Sequence, residues 1–135
     1  MDRGAIEELI YQAYAARQKG DIDGLMEAFH PDAVFGLAGD KTALEVVGAV
    51  EGHPKVRASM AGFIAAFEFI DRHIISFVID GERAAVHSRI AVRFIPKDTS
   101  FTTEVLDAFK FTDGKIIELV EFADTALIKN VLSAV

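Results

Sequence analysis

The chain has 135 residues, with 21 acidic and 14 basic side chains, a formal charge of −7 and no cysteine. A single domain of this length, 1–135, can bury a core without covalent staples. The missing thiols exclude disulfides and thiolate metal sites, and an acidic field with no Lys/Arg cluster argues against a nucleic-acid partner. No apolar run approaches a membrane span. The opening MDRGAIEELI carries acids where a secretory signal carries bases, so a cytoplasmic protein is the expectation.

Residues 5–18 place Ile6, Leu9, Ile10, Ala13 and Tyr14 at helical spacing, with Gly20 as the stop. Asp21 or Asp23 caps a second, short helix through Leu25, Met26 and Phe29, ended by His30-Pro31. AVFGL (33–37) reads as a strand, 38–45 as loop and LEVVGAV (44–50) as a further extended piece. Pro54 suits the first turn of a third helix with Val56, Met60, Phe63, Ile64 and Phe67 as its stripe. The aromatics Phe63, Phe67 and Phe69 read as core before ligand site.

Strands follow at 73–79, 84–95, 104–112 and 115–123, with turns at Asp80-Gly81-Glu82 and Asp113-Gly114, and Asp124 caps a closing helix. Three helices ahead of consecutive antiparallel strands predict an α+β domain with helices on one face of the sheet. Strand 84–95 alternates an apolar face with a charged one bearing His87, Arg89 and Arg93, which meets solvent or a second subunit.

Strand 104–112 poses the functional question. Alternation sets Asp107 in a row with Val105, Phe109 and Phe111, on the face that ought to be core. A carboxylate there loses hydration, so its pKa should rise. Either it serves a pocket, or it is a buried aspartate tied to neighbouring donors. The Asp113-Gly114 turn brings it across from about Leu119 to Glu121. If the odd residues of the last strand face inward, Glu121 joins Asp107 and the two carboxyls split their pKa values. If the even ones do, Glu121 is solvated. Tyr14 lies on the inward stripe of the first helix, as a cavity-facing hydroxyl or as a core tyrosine. No histidine pair has i, i+4 spacing with an acid, so neither a metal site nor any cofactor is indicated. His30 is expected at the C-terminal end of its helix.

With GDIDGLMEAFHPDAVF near the start and DAFKFTDGKIIELVEFAD near the end, the chain resembles the nuclear transport factor 2-like superfamily over essentially its whole length. That superfamily includes ketosteroid isomerase, limonene epoxide hydrolase and SnoaL-type polyketide cyclases. The resemblance implies a cone-shaped, curved antiparallel (mixed) sheet around a pocket, with three N-terminal helices and a short C-terminal one. It implies an apolar or polycyclic small-molecule ligand, and a homodimer formed through the outer face at His87, Arg89 and Arg93.

In that cone the pocket is lined by Phe35, Leu37, Phe63, Phe67, Ile90, Val92, Val105, Phe109 and Leu119. Asp107 falls where ketosteroid isomerase carries an acid in its oxyanion hole and limonene epoxide hydrolase a catalytic aspartate. Glu121 falls where the hydrolase carries a second aspartate. Two positions depart from these patterns: Val105 stands where the hydrolase has an arginine, and Leu37 where the isomerase has its base. Asp40 replaces that base only if its loop folds inward. Tyr14 or its neighbour Ala13 matches the isomerase's phenolic donor, depending on the count. The implied functions are an isomerase, cyclase or hydratase with Asp107 as acid and Glu121 as base, a non-catalytic carrier or sensor of apolar ligands, or a dimeric scaffold.

Overall fold

Asp2 starts the first helix by accepting a hydrogen bond from the Ala5 N–H at 2.8 Å. Helix α1 (Arg3–Lys19) then runs to Gly20, whose left-handed φ of 72° lets its N–H close on the carbonyls of Ala16 and Arg17. Asp21 caps α2 (Ile22–Met26). In the computed structural model, which describes residues 1–134, β1 (Phe29–Leu37) and β2 (Gly48–Glu51) come next, followed by α3 (His53–Ala66). The long strands are β3 (Phe67–Asp80), β4 (Arg83–Phe94), β5 (Thr99–Thr112) and β6 (Lys115–Ala123). Helix α4 (Thr125–Ser133) closes the described chain, capped by Asp124, which accepts from the Leu127 N–H at 3.0 Å.

The six strands form one curved mixed sheet in the order β2-β1-β6-β5-β4-β3, with β1 and β6 parallel and every other pair antiparallel. Asp113 and Gly114 both take positive φ, 54° and 74°, which matches the twist of the β5–β6 hairpin and locks its register. A register shift between Lys110 and Phe111 then decides the inward row of β6: Ile116 faces the core beside the turn, and beyond the shift Leu119 lies opposite Phe109 and Glu121 opposite Asp107. Ile6, Ile10 and Ala13 of α1 cluster with Val86 of β4 and with Phe109 and Phe111 of β5. Ile6 and Ile10 are fully buried, each worth about 1.5–3 kcal/mol of apolar transfer. A second cluster joins Val131 of α4 to Phe67, Ile90, Val92, Phe94 and Val105.

Three local expectations need correction. The second helix ends at Met26, and His30-Pro31 lies inside β1. Pro31 is tolerated there because the β1–β6 register is irregular between Phe29 and Val34, so no ladder bond needs its missing N–H. Residues 44–47 are turn, with Leu44 and Val47 buried against Leu37, and only Gly48–Glu51 pairs as strand. The run was apolar because it plugs the sheet's edge, which requires no alternation. Finally, α3 passes straight into β3 at Phe67, six residues ahead of the expected strand start, and bulges interrupt the alternation of β3 between Phe69 and Asp71 and between Ile74 and Ser76.

The outer face of the sheet also differs from a simple charged surface. His87 pairs with Glu104 at 2.6 Å, and Arg93 with Glu68 at 3.0 Å and Asp98 at 3.3 Å, so much of this charge is matched within the chain. Beside these pairs stand exposed apolar side chains, including the cross-strand neighbours Leu106 and Phe122.

Gly36 is required by close approach: a Cβ there would lie 2.8 Å from the Gly48 carbonyl oxygen and 2.9 Å from Ala49 Cα. Gly36→Ala should lower unfolding free energy by about 1–3 kcal/mol. The exposed helical Gly62, with open space around it, should tolerate alanine and gain up to about 1 kcal/mol. Urea denaturation of the two variants checks both signs.

Candidate functional site

Helices α1 and α3 and the concave face of the sheet enclose one apolar cavity with about 970 Å³ of empty space, its open mouth included. All nine residues expected to line a pocket do line it: Phe35, Leu37, Phe63, Phe67, Ile90, Val92, Val105, Phe109 and Leu119. Tyr14, Asp107 and Glu121 reach the same cavity from α1, β5 and β6.

Asp107 is 1% exposed. Its Oδ2 accepts a 2.6 Å hydrogen bond from the Tyr14 hydroxyl, and Arg72 Nη1 lies 3.7 Å from the same oxygen. Arg72 comes from β3. Its Nη1 also donates to Ser88 Oγ at 3.0 Å, and its guanidinium carbon sits 3.6 Å from the centroid of the Tyr14 ring. Asp107 Oδ1, by contrast, is buried with no hydrogen-bond partner among the described residues. Glu121 stands directly opposite on β6.

Burial pushes the Asp107 carboxyl up, while Arg72 and the Tyr14 hydroxyl oppose that rise. Burial also pushes Glu121 well above the usual carboxylate range, and the negative charge of Asp107 adds to the shift. Since the cation and the phenol both sit on Asp107, the first proton lost belongs to Asp107. Of the two, Glu121 is the carboxyl that keeps its proton to the higher pH. A protonated Glu121 is also the group that can satisfy the orphaned Oδ1. Burial and the adjacent carboxylate raise the Tyr14 phenol, which stays a donor.

Arg17, in the last turn of α1, is a further cavity residue. Its Nη2 donates to the carbonyls of Phe67 at 2.7 Å and Phe63 at 3.4 Å, and its guanidinium stacks 3.7 Å from the Phe69 ring centroid. Burial drives its pKa down to about 10.

Sequence reasoning missed Arg17, Arg72, Phe69 and Thr103 as cavity residues. Arg17 had a signal, because the stripe Ile10, Ala13, Tyr14 continues at helical spacing onto position 17. Arg72 had none, since the bulges in β3 hide which way it points. It supplies a guanidinium to Asp107 from another strand, where the spacing of β5 offers only Val105.

Other candidates fall away from the cavity. Asp40 is exposed and accepts from the Thr42 N–H and hydroxyl, which hold its carboxyl below the usual range, so it does not act as an inward base. His30 sits on β1, its ring 3.4 Å from Asp113, and not at a helix end. No histidine lines the cavity, and among the described residues no three His, Cys, Asp or Glu side chains cluster as metal ligands.

Residues 10–119 match the model of the SnoaL-like domain. The chain belongs to this family. A SnoaL-like chain of this shape is similar to a nuclear transport factor 2-like protein of unknown function from Burkholderia pseudomallei, with a TM-score of 0.83, 20% identity, and 99% of this chain and 100% of that one covered. It is similar to a candidate SnoaL-like polyketide cyclase from Jannaschia sp. CCS1 (TM-score 0.79, 19% identity, 100% and 99% covered). It is also similar to an LEH-like epoxide hydrolase from M. tuberculosis (TM-score 0.72, 18% identity, 93% and 87% covered). At these identities the likeness is one of fold. A search of curated proteins returned no match to this chain. No helix of this SnoaL-like domain among the described residues is long and apolar enough to cross a membrane.

The retained proton has a measurable consequence for stability. Glu121 has a raised folded pKa, so its contribution is greatest below the unfolded value of 4.5 and is lost as pH rises toward the folded one. Over that window wild-type stability should fall by up to about 1.4 kcal/mol per pH unit. Glu121→Gln, which mimics the protonated acid, should flatten this slope and be the more stable form at pH 7. Denaturant titrations at pH 5, 6, 7 and 8 check it; parallel slopes for the two proteins would place Glu121 in solvent.

Proposed function

We propose that this SnoaL-like protein binds an apolar small molecule in its cone and transfers protons to and from it, with Asp107 as base and Glu121 as acid. The observation that carries the reading is the buried Asp107 between half-buried Tyr14 and Glu121, with Arg72 beside it, on the wall of an otherwise apolar cavity. Asp107 Oδ1 takes no hydrogen bond from Tyr14 or Arg72. It is therefore the oxygen that receives the proton of an acidic C–H or a water once a ligand in the cavity displaces the Glu121 hydroxyl from it. Glu121 returns a proton to the oxygen or carbon that becomes negative, so charge is conserved over the cycle. Tyr14 and Arg72 hold Asp107 ionised before the transfer. These roles reverse the assignment expected from the resemblance, because the cation and phenol sit on Asp107 and leave Glu121 the more basic carboxylate. Isomerisation, aldol-type cyclisation and epoxide or alkene hydration all use this arrangement.

The test is conversion of a panel of polycyclic β-keto esters, β,γ-unsaturated ketones and apolar epoxides, followed by mass spectrometry. Asp107→Asn should reduce kcat on the accepted substrate by about a hundredfold to ten-thousandfold while binding persists. A ligand held tightly and recovered unchanged would favour a carrier instead.

We also propose that two copies pair through the outer sheet face, because exposed Leu106 and Phe122 lie together beside the His87, Arg89 and Arg93 row. Light scattering should give the mass of a dimer at micromolar concentration. Phe122→Glu should shift it to the monomer without loss of fold.

A further inference from the structure

We infer that the cavity receives an apolar molecule bearing one anionic oxygen group, a carboxylate or an acidic enol or phenol, and that Arg17 is its docking cation. The inference rests on the cavity being the ligand site and adds the chemical class of the ligand.

Arg17 is buried to 9% exposure in an apolar wall, yet no carboxylate among the described residues forms an ion pair with it. Only Nη2 is engaged, by the carbonyls of Phe63 and Phe67. Nε and Nη1 have no acceptor among the described residues. Neither is sealed in the way Asp107 Oδ1 is, so each keeps a face on open space. The open space that Arg17 borders is the cavity. A guanidinium with one edge spent on carbonyls and another edge free presents donors in the fork that matches a carboxylate.

Charge counting leads the same way. Arg72 is matched by Asp107 at 3.7 Å. Glu121, the carboxyl whose charge supports the Arg17 cation, makes no ion pair with it and is itself pushed toward its neutral form by burial and by Asp107, so Arg17 lacks a firm counter-charge. The ends of α1 and α3 offset part of its burial. The fall of its pKa to about 10 marks the part left uncompensated, and still leaves it charged at neutral pH. An anionic group on the ligand would complete this balance, and the phenylalanines around it would take the apolar body.

Calorimetry with 2-naphthoate and its near-isostere 2-naphthamide separates charge from shape. At pH 7 the wild-type protein should bind naphthoate at least about tenfold more tightly than naphthamide. Arg17→Gln should abolish that preference with naphthamide affinity changed less than about threefold, and Arg17→Lys should keep part of it. Naphthamide bound as tightly as naphthoate by the wild-type protein would overturn the inference while leaving the cavity a ligand site, and needs no variant to fold. Binding of neither probe would overturn both.

Discussion

The rest of the structure depends on one costly act, the burial of the Asp107 carboxyl in an apolar wall. A charge buried without partners costs several kcal/mol, against a total stability of about 5–15 kcal/mol for a domain of this kind. The chain meets that cost with groups from separate elements: the Tyr14 hydroxyl from α1, the Arg72 guanidinium from β3 and the Glu121 carboxyl from β6. Ser88 on β4 then holds Arg72. Helix and three strands must therefore dock in one arrangement for the carboxyl to be tolerated at all. The compensation is incomplete, because Oδ1 is left without a partner. A group placed at such a cost and left partly unsatisfied points toward a ligand more than toward stability.

The phenylalanines set how the polar groups behave. By excluding water they raise both carboxyls and the phenol, and they press the Arg17 guanidinium the opposite way. The same low-polarity wall divides the labour of the two acids. The two differ little by chemistry, but Arg72 and the Tyr14 hydroxyl stand against Asp107 while the charge of Asp107 adds to the rise at Glu121, so Asp107 is the first to ionise. An acid and a base thus stand side by side at one pH.

Legibility followed the length over which each element makes its own rules. The β5–β6 pair was readable in outline because a two-residue Asp-Gly turn brings Asp107 across from about Leu119 to Glu121. The exact partner is set by the register shift between Lys110 and Phe111, which moves Asp107 from Val120 to Glu121. Which face of β6 looks inward was not readable, because Val120 and Phe122 are as apolar as the inner row and the register shift changes the inward parity along the strand. The sheet's curvature and its helices settle that. β3 was the hardest stretch. Bulges reset its alternation twice, and its first half follows α3 without a break, so FEFIDRH shows neither a clean strand nor a clean helix. The residues most consequential for the cavity's charge were lost there and at the end of α1.

The sequence by itself determined the α+β class, the order of helices and strands, the apolar lining and the presence of an aspartate where a core residue belongs. All of these follow from local periodicity, caps and turns, which neighbouring residues decide among themselves. Only the tertiary structure decided that Arg72 would pair with Asp107, that Glu121 would keep its proton to the higher pH, and that Arg17 would stand without a firm counter-charge beside the cavity. Those outcomes depend on distances between elements far apart in the chain and on how much water their packing expels, and no window of sequence contains either quantity.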